Sequence, residues 1–288
     1  MKKALLIVLS VILFSCSNNL EQGISFTDDF DASNYAVDNS YTEISLNQTW
    51  QFAEYSKINS GKAKLYQATE NRKNITVAVN AGHGTSGANL IKTYSHPDKT
   101  PKITGGTNNQ GAVESLAISA GMTFDCGLSE ADANLRVALI LRKLLLDGGY
   151  DVLMIREEQD VQLDNIARIV ISNNNADIHI SIHFDGDSKK TDKGCFYCGI
   201  PEELKFLENV NNHYAQSETL GTLLINQLRE RNVPIYSTGR VETDLTQTSY
   251  STIPTVDIEL GNQCTVPNTN LLEARALGIF KGIEKYFD

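Results

Sequence analysis

From residue 73 onward, short apolar runs alternate with longer stretches in which apolar residues recur every three or four positions. "ITVAV", "DVLMIR", "DIHISIH" and "TVDIEL" are too short for helices and rich in β-branched residues, and each predicts a strand. "KGCFYCGI" also looks like a strand. "SEADANLRVALILRKLLLDGG" places Leu135, Ala138, Leu139, Leu141 and Leu145 at helical spacing and stops at a glycine. Helices are likewise predicted over "LDNIARIVISNNN", "HYAQSETLGTLLINQLRERN" and "NLLEARALGIFKGIEKYF". Strand alternating with helix predicts an α/β domain with one largely parallel sheet.

Two regions interrupt this texture. Residues 85–128, between the first strand and the first helix, are rich in Gly, Asn and Thr. A loop this long is usually a functional flap or carries its own small structure, and "GAVESLAISAGM" inside it predicts a short helix. "GGTNNQG" there lacks the Gly-Lys-Ser/Thr ending of a phosphate cradle. Upstream, residues 17–49 are polar and acidic without periodicity and read as a tether. Residues 50–70 carry the pattern of one helix. After Met1 come two lysines and an apolar run over residues 4–14, too short to span a bilayer, which reads as a secretory signal. "LFSC" resembles the bacterial lipobox, although Phe14 is bulky for it. That resemblance implies a signal peptide over residues 1–15, a lipid anchor on Cys16, and an exported protein held at the cell envelope, in the periplasm or on the outer membrane; the alternative is a plain signal peptide with an incidental cysteine, which also implies export.

Composition narrows the partners. The 288 residues are 41% hydrophobic and carry a formal charge of −10. The length suits one or two domains, and the acidic balance argues against nucleic acid. Beyond Cys16 lie Cys126, Cys195, Cys198 and Cys264, which an oxidising compartment allows to bridge in any of three pairings. The Cys195–Cys198 pair has the spacing of a redox or zinc motif. It lies in strand-like sequence rather than at a helix start, and no second pair accompanies it.

Ligands of open α/β sheets gather at the carboxyl ends of the strands. His83 follows the first strand, His183 ends "DIHISIH" and Glu259 lies near the end of "TVDIEL". Glu130 opens the first long helix, where Ser129 and Asp132 fit a capping box. Each alone has a bland reading: a hydrogen-bonded strand-end histidine, or a glutamate favoured by the helix dipole. A glutamate within an apolar strand is harder to dismiss, because an unpartnered buried carboxylate costs several kcal/mol. Together the four supply two imidazoles and one carboxylate, the donor set of a catalytic zinc with an open position, and leave a second carboxylate to act as a base.

Four blocks in order, "VNAGHG", "SEADANLRVALILRKLLLDGGYDVLMIR", "ARIVISNNNADIHISIH" and "IPTVDIELGN", resemble the zinc-dependent N-acetylmuramoyl-L-alanine amidases, the amidase-3 family. The resemblance runs from residue 73 to 288. It implies a single twisted, mostly parallel sheet of about six strands flanked by helices, forming a catalytic domain with an inserted loop at 85–128 behind an N-terminal extension, residues 16–72. By position His83, Glu130 and His183 resemble the Zn2+ ligands, and Glu259 resembles the catalytic glutamate. Arg168 occupies the family's arginine before the third strand, in a structural or a catalytic role. The implied substrate is peptidoglycan, cut at the amide between N-acetylmuramic acid and L-alanine; an activator protein is left open as a partner. Two other readings fit the same residues: a silent wall-binding or regulatory module, and a zinc peptidase acting on stem peptides.

The chain also departs from the family. "HGTS" replaces the commoner His-Gly-Gly with a following Asp, and the 85–128 loop is long. If that loop folds back, Glu114 is placed to compete for the metal. Period-two alternation puts His179 beside Ser181 and His183, and Asp257 beside Glu259, where the family usually has apolar residues at 179 and 257. We expect His179 and Asp257 either to pair behind the metal or to find separate partners. Cys126 and Cys264 flank site residues, and a disulfide between them would brace two loops.

Overall fold

The computed structural model describes residues 28–187 and 191–288. The segment expected to be a signal peptide, and Cys16, lie outside them. Among the described residues ten strands form: β1 (Tyr41–Ile44), β2 (Ala63–Tyr66), β3 (Thr76–Ala81), β4 (Lys92–Tyr94), β5 (Glu114–Leu116), β6 (Asp151–Met154), β7 (Ile178–Asp185), β8 (Cys195–Gly199), β9 (Ile235–Glu242) and β10 (Thr255–Asn262). The α-helices are α1 (Glu130–Asp147), α2 (Asn165–Asn175), α3 (Glu208–Asn211), α4 (Tyr214–Glu230), α5 (Thr246–Tyr250) and α6 (Thr269–Phe287). None is long and apolar enough to cross a membrane.

Eight strands make one sheet in the order β1-β2-β6-β3-β7-β10-β8-β9, and β4 pairs with β5 apart from it. The centre, β6-β3-β7-β10, is parallel. β1 on β2, β2 on β6 and β8 on β10 are antiparallel, whereas β8 and β9 are parallel. The sheet is therefore mixed and has eight strands, not about six. Two of the added strands come from the stretch read as tether and helix. Residues 50–70 form a short 3-10 turn at Ala53–Tyr55 and then β2, not a helix. β2 covers the backbone edge of β6, pairing Lys64 with Met154 and Tyr66 with Val152. A central strand's unpaired amides attract such a cover, whereas a lone helix of this length is marginal. The described part of the extension is docked: Arg136 grips Asp28 with two hydrogen bonds of 2.7 and 2.8 Å, and the Tyr35 hydroxyl donates to Glu273 at 2.7 Å.

Period-two alternation then sorts the strands' side chains. β7 sends Ile178, Ile180, Ile182 and Phe184 into the core beneath α1, α4 and α6, joined by Val256, Ile258 and Leu260 of β10. Each such side chain contributes about 1.5–3 kcal/mol by leaving water. The opposite face is covered at one end by α2, α5 and the extension, through Ile166, Val170, Tyr250 and Ala53. On that second face stand His179, Ser181, His183, Asp257 and Glu259, and towards the carboxyl ends of β7 and β10 the covering gives way to a cavity.

Candidate metal centre and active site

His83 lies just past β3 in a left-handed backbone conformation, φ +63°, an uncommon state for a residue with a Cβ. Two buried arginines hold it there. Arg168 donates to the carbonyl oxygens of Ala81 (3.0 Å) and His83 (2.6 Å), to Asn80 Oδ1 (2.9 Å) and to Thr85 Oγ1 (2.9 Å). Arg156 donates to the carbonyls of Ala81 and Gly82, each at 3.0 Å. Arg168 is thus a positioning residue, out of contact with the cavity. The His83 ring is fixed in turn. Its Nδ1 lies 2.8 Å from the Ser119 carbonyl oxygen, which can only accept. Nδ1 therefore carries a proton, and Nε2 is the nitrogen turned towards Glu130.

Glu130 is the first residue of α1. Ser129 caps that helix by accepting from the Asp132 amide at 3.1 Å, as the sequence pattern predicts. The Glu130 carboxylate accepts from the amides of Met122 (2.9 Å) and Phe184 (3.2 Å). His183 arrives from β7. His83 Nε2 lies 2.7 Å from Glu130 Oε1, and His183 Nδ1 lies 3.0 Å from Glu130 Oε1 and 3.1 Å from His83 Nε2. Donor atoms around a tetrahedral zinc with bonds near 2.0 Å stand about 3.3 Å apart, so this set fits such an ion with small adjustments. The electrostatics agree. Burial raises the Glu130 carboxyl, but the two imidazoles outweigh it and hold it well below the usual carboxylate range. Burial also opposes charge on His183, yet Asp257 and Glu130 push it up to about 9. The cluster draws positive charge to its centre.

Glu259 stands on β10 directly beside His183 in register. Its Oε2 is buried and has no hydrogen-bond partner. Burial raises its carboxyl well above the ordinary range; His183 pulls the other way, and Asp257 and Glu130 reinforce the rise. A carboxylate in that state is a strong proton acceptor. His83, Glu130, His183, Asp257, Glu259 and Lys102 all line one cavity of about 400 Å³.

Much of the remaining cavity wall comes from the 85–128 insertion, with Asn165, the end of β7 and residues 245–247 completing it. The insertion contains a 3-10 turn, Ala88–Leu90, and the β4–β5 pair. The helix expected over 111–122 does not form. β5 replaces it, with Ser115 buried against Ser95, Oγ to Oγ 2.8 Å. Glu114 is exposed and is not part of the cavity lining, so the expected competition for metal does not arise. Instead, residues 119–122 grip both side chains, through Ser119 on His83 and Met122 on Glu130. Gly121 between them has φ +82°, and a Cβ there would come within 2.8 Å of His83 and 2.9 Å of Glu130.

Asp244 was not legible in the sequence. This buried carboxylate lies just before α5 and pins the insertion. It pairs with Lys102 Nζ at 2.8 Å and His96 Nε2 at 3.1 Å, and accepts from the amides of Ile103 (2.6 Å) and Thr104 (3.1 Å). Its partners are more than a hundred positions away, so no local pattern announces it.

Of the two alternatives for His179 and Asp257, separate partners are what the structure shows. His179 takes Thr255 Oγ1 as its partner at 2.8 Å, while Asp257 faces Ser181 and His183, 3.7 Å from His183 Nε2. Neighbouring register positions engage each first, so His179 and Asp257 do not pair, and His179 Nε2 stays buried without a hydrogen-bond partner. No disulfide forms among Cys126, Cys195, Cys198 and Cys264. The loops holding Cys126 and Cys264 do meet, but through hydrogen bonds between Asp125 and Gln263 (3.0 and 3.2 Å).

The comparisons with known proteins agree with this arrangement. None of the curated proteins is significantly similar to the chain in sequence. The N-acetylmuramoyl-L-alanine amidase amidase-3 family model matches residues 77–283. Among solved structures, the chain resembles the amidase Ami1 from Mycobacterium smegmatis, with a TM-score of 0.61 at 17% identity, over 74% of this chain and 96% of that one. It also resembles an N-acetylmuramoyl-L-alanine amidase from Clostridium difficile 630 (TM-score 0.55, 20% identity, 74% and 97% covered). A third likeness is CwlD from Clostridioides difficile, solved in complex with the GerS lipoprotein (TM-score 0.51, 20% identity, 74% and 98% covered). At such identities these structures share the fold. The family match spans most of the chain and takes in all four residues around the cavity, so the protein belongs to the N-acetylmuramoyl-L-alanine amidase family, amidase-3.

Proposed function

We propose that the chain is a zinc-dependent cell-wall hydrolase that cuts the amide between the lactyl group of N-acetylmuramic acid and L-alanine of the stem peptide. The observation that carries this reading is the convergence of His83, Glu130 and His183 donor atoms within 3.1 Å, on a cavity that also receives the unpartnered oxygen of Glu259. His83, Glu130 and His183 would hold the ion. A bound zinc supplies Lewis-acid polarisation of the scissile carbonyl and lowers the pKa of water towards ~7. Glu259 takes the proton from the attacking water and delivers it to the leaving amine of L-alanine. Arg168 and Arg156 keep the strained His83 loop in place, and Ser119 keeps the His83 tautomer.

The amino-terminal pattern supports export and a lipid anchor at Cys16, which would hold the enzyme in the envelope beside its polymer. One neighbour was solved in complex with a lipoprotein, and a protein partner belongs to this reading of the chain. The test is product analysis on defined muropeptides with zinc added. Free stem peptides with a new L-alanine amino terminus, beside intact disaccharide, are expected. Cross-link fragments would make the protein a peptidase, and binding without release would make it a wall-binding module; either overturns the proposal.

A further inference from the structure

A second group of donors lies beside the first. Asp257 on β10 is directly opposite Cys198 on β8, and Glu259 follows two residues along the same face. A thiol oxygen-donor set results: Cys198 Sγ and one oxygen each of Asp257 and Glu259 lie within 4.8 Å of one another. Cys198 and Asp257 are both more than nine-tenths buried. The fully buried Glu259 Oε2, which has no hydrogen-bond donor, is an independent sign that this corner holds an unused acceptor. The ion pair Asp257 does have, to His183 Nε2, is long at 3.7 Å. Asp257 and Glu259 line the cavity, so a cation has a route in from solvent.

We propose that Cys198, Asp257 and Glu259 form a second divalent-cation site, filled when zinc or cadmium is in excess. A thiolate with two carboxylates selects soft or borderline ions over magnesium or calcium. The three donors need to close by about an ångström to reach bonding distances of about 2.0–2.3 Å, which side-chain rotation on adjacent strands allows. Binding releases the Cys198 proton to water and leaves the sulfur as a thiolate. Occupation also withdraws Glu259 from proton transfer, so a filled site silences the enzyme. That consequence rests on the amidase reading; the binding itself does not.

The test uses the full-length protein, stripped of metal and then titrated without substrate. Zinc uptake is followed by equilibrium dialysis, and cadmium uptake by the thiolate-to-cadmium ultraviolet band. The wild type is expected to take a second, weaker equivalent of zinc and to show a cadmium–thiolate band that Cys198→Ser lacks. Cys198→Ser should keep the first equivalent. It should also release stem peptides undiminished at zinc concentrations that silence the wild type. If circular dichroism shows that Cys198→Ser does not fold, Asp257→Asn replaces it in the binding measurements and should likewise lose the second equivalent. A wild type that stops at the first equivalent overturns the second site and leaves the amidase reading standing. A second equivalent retained in a folded Cys198→Ser also overturns the assignment.

Discussion

Two of the buried histidine clusters among the described residues behave in opposite ways. His83, Glu130 and His183 face a cavity with donor atoms crowded together. The other cluster has the residue types of a hydrolase triad: Ser249 Oγ is 2.7 Å from His96 Nδ1, and His96 Nε2 is 3.1 Å from Asp244 Oδ2. Yet Ser249, His96 and Asp244 are all fully buried, and the serine hydroxyl already donates to the Leu245 carbonyl at 2.9 Å. Every group there is occupied in holding the insertion to α5. Residue types do not make a site; unspent lone pairs aimed at a space that substrate can enter do.

That contrast is broken or sharpened by mutation. Glu259→Gln keeps the shape of the site but loses the base. Turnover should fall by about 10²–10⁴-fold while the protein still binds zinc, as measured by stem-peptide release and metal content. Asp244→Ala leaves Lys102 and His96 without a counter-charge and should cost about 3–5 kcal/mol of stability, read by denaturant unfolding. Proteolysis should then cut within residues 85–128.

The same carboxylate gives a pH dependence. Burial opposes its charge, but hydrogen bonds from His96, Lys102 and Thr104 hold Asp244 below its ordinary value of 3.8. A depressed folded pKa means that its contribution is complete above that ordinary value and is lost as pH falls below it. Hydrogen exchange over 92–104 should accelerate in strong acid for the wild type, whereas Asp244→Asn should exchange quickly at neutral pH as well.

Smaller effects follow. Arg168→Lys removes the fork that fixes the His83 carbonyl, and zinc affinity should fall about 10–100-fold in a metal-competition titration. Ser249→Ala should cost about 1–3 kcal/mol in stability by leaving His96 short of a partner, with turnover per folded molecule unchanged. A collapse of turnover there would mean that the second cluster is catalytic after all.

The sequence carried the strands and helices of the catalytic half because their periodicity is strong. "DIHISIH" and "VDIEL" showed by alternation which side chains leave the core, and the helix start at Ser129 showed where Glu130 projects. What it did not carry was long-range. β2 forms because β6 has a free edge, which its own composition does not record. The polar segment around Asp28 looked unstructured because its anchor, Arg136, lies 108 positions away. Asp244 and residues 119–122 matter through contacts that only the folded chain creates. Asp257 was legible as an oddity, but the thiol opposite it depends on strand register between β8 and β10.

The central claim is that His83, Glu130 and His183 hold a divalent ion without which Glu259 has no reaction to serve. Stem-peptide release by protein stripped with a chelator, measured before and after zinc is returned up to one equivalent, tests it most directly. The account predicts no release from the stripped protein and recovery once zinc is restored; release at the full rate without metal would contradict it.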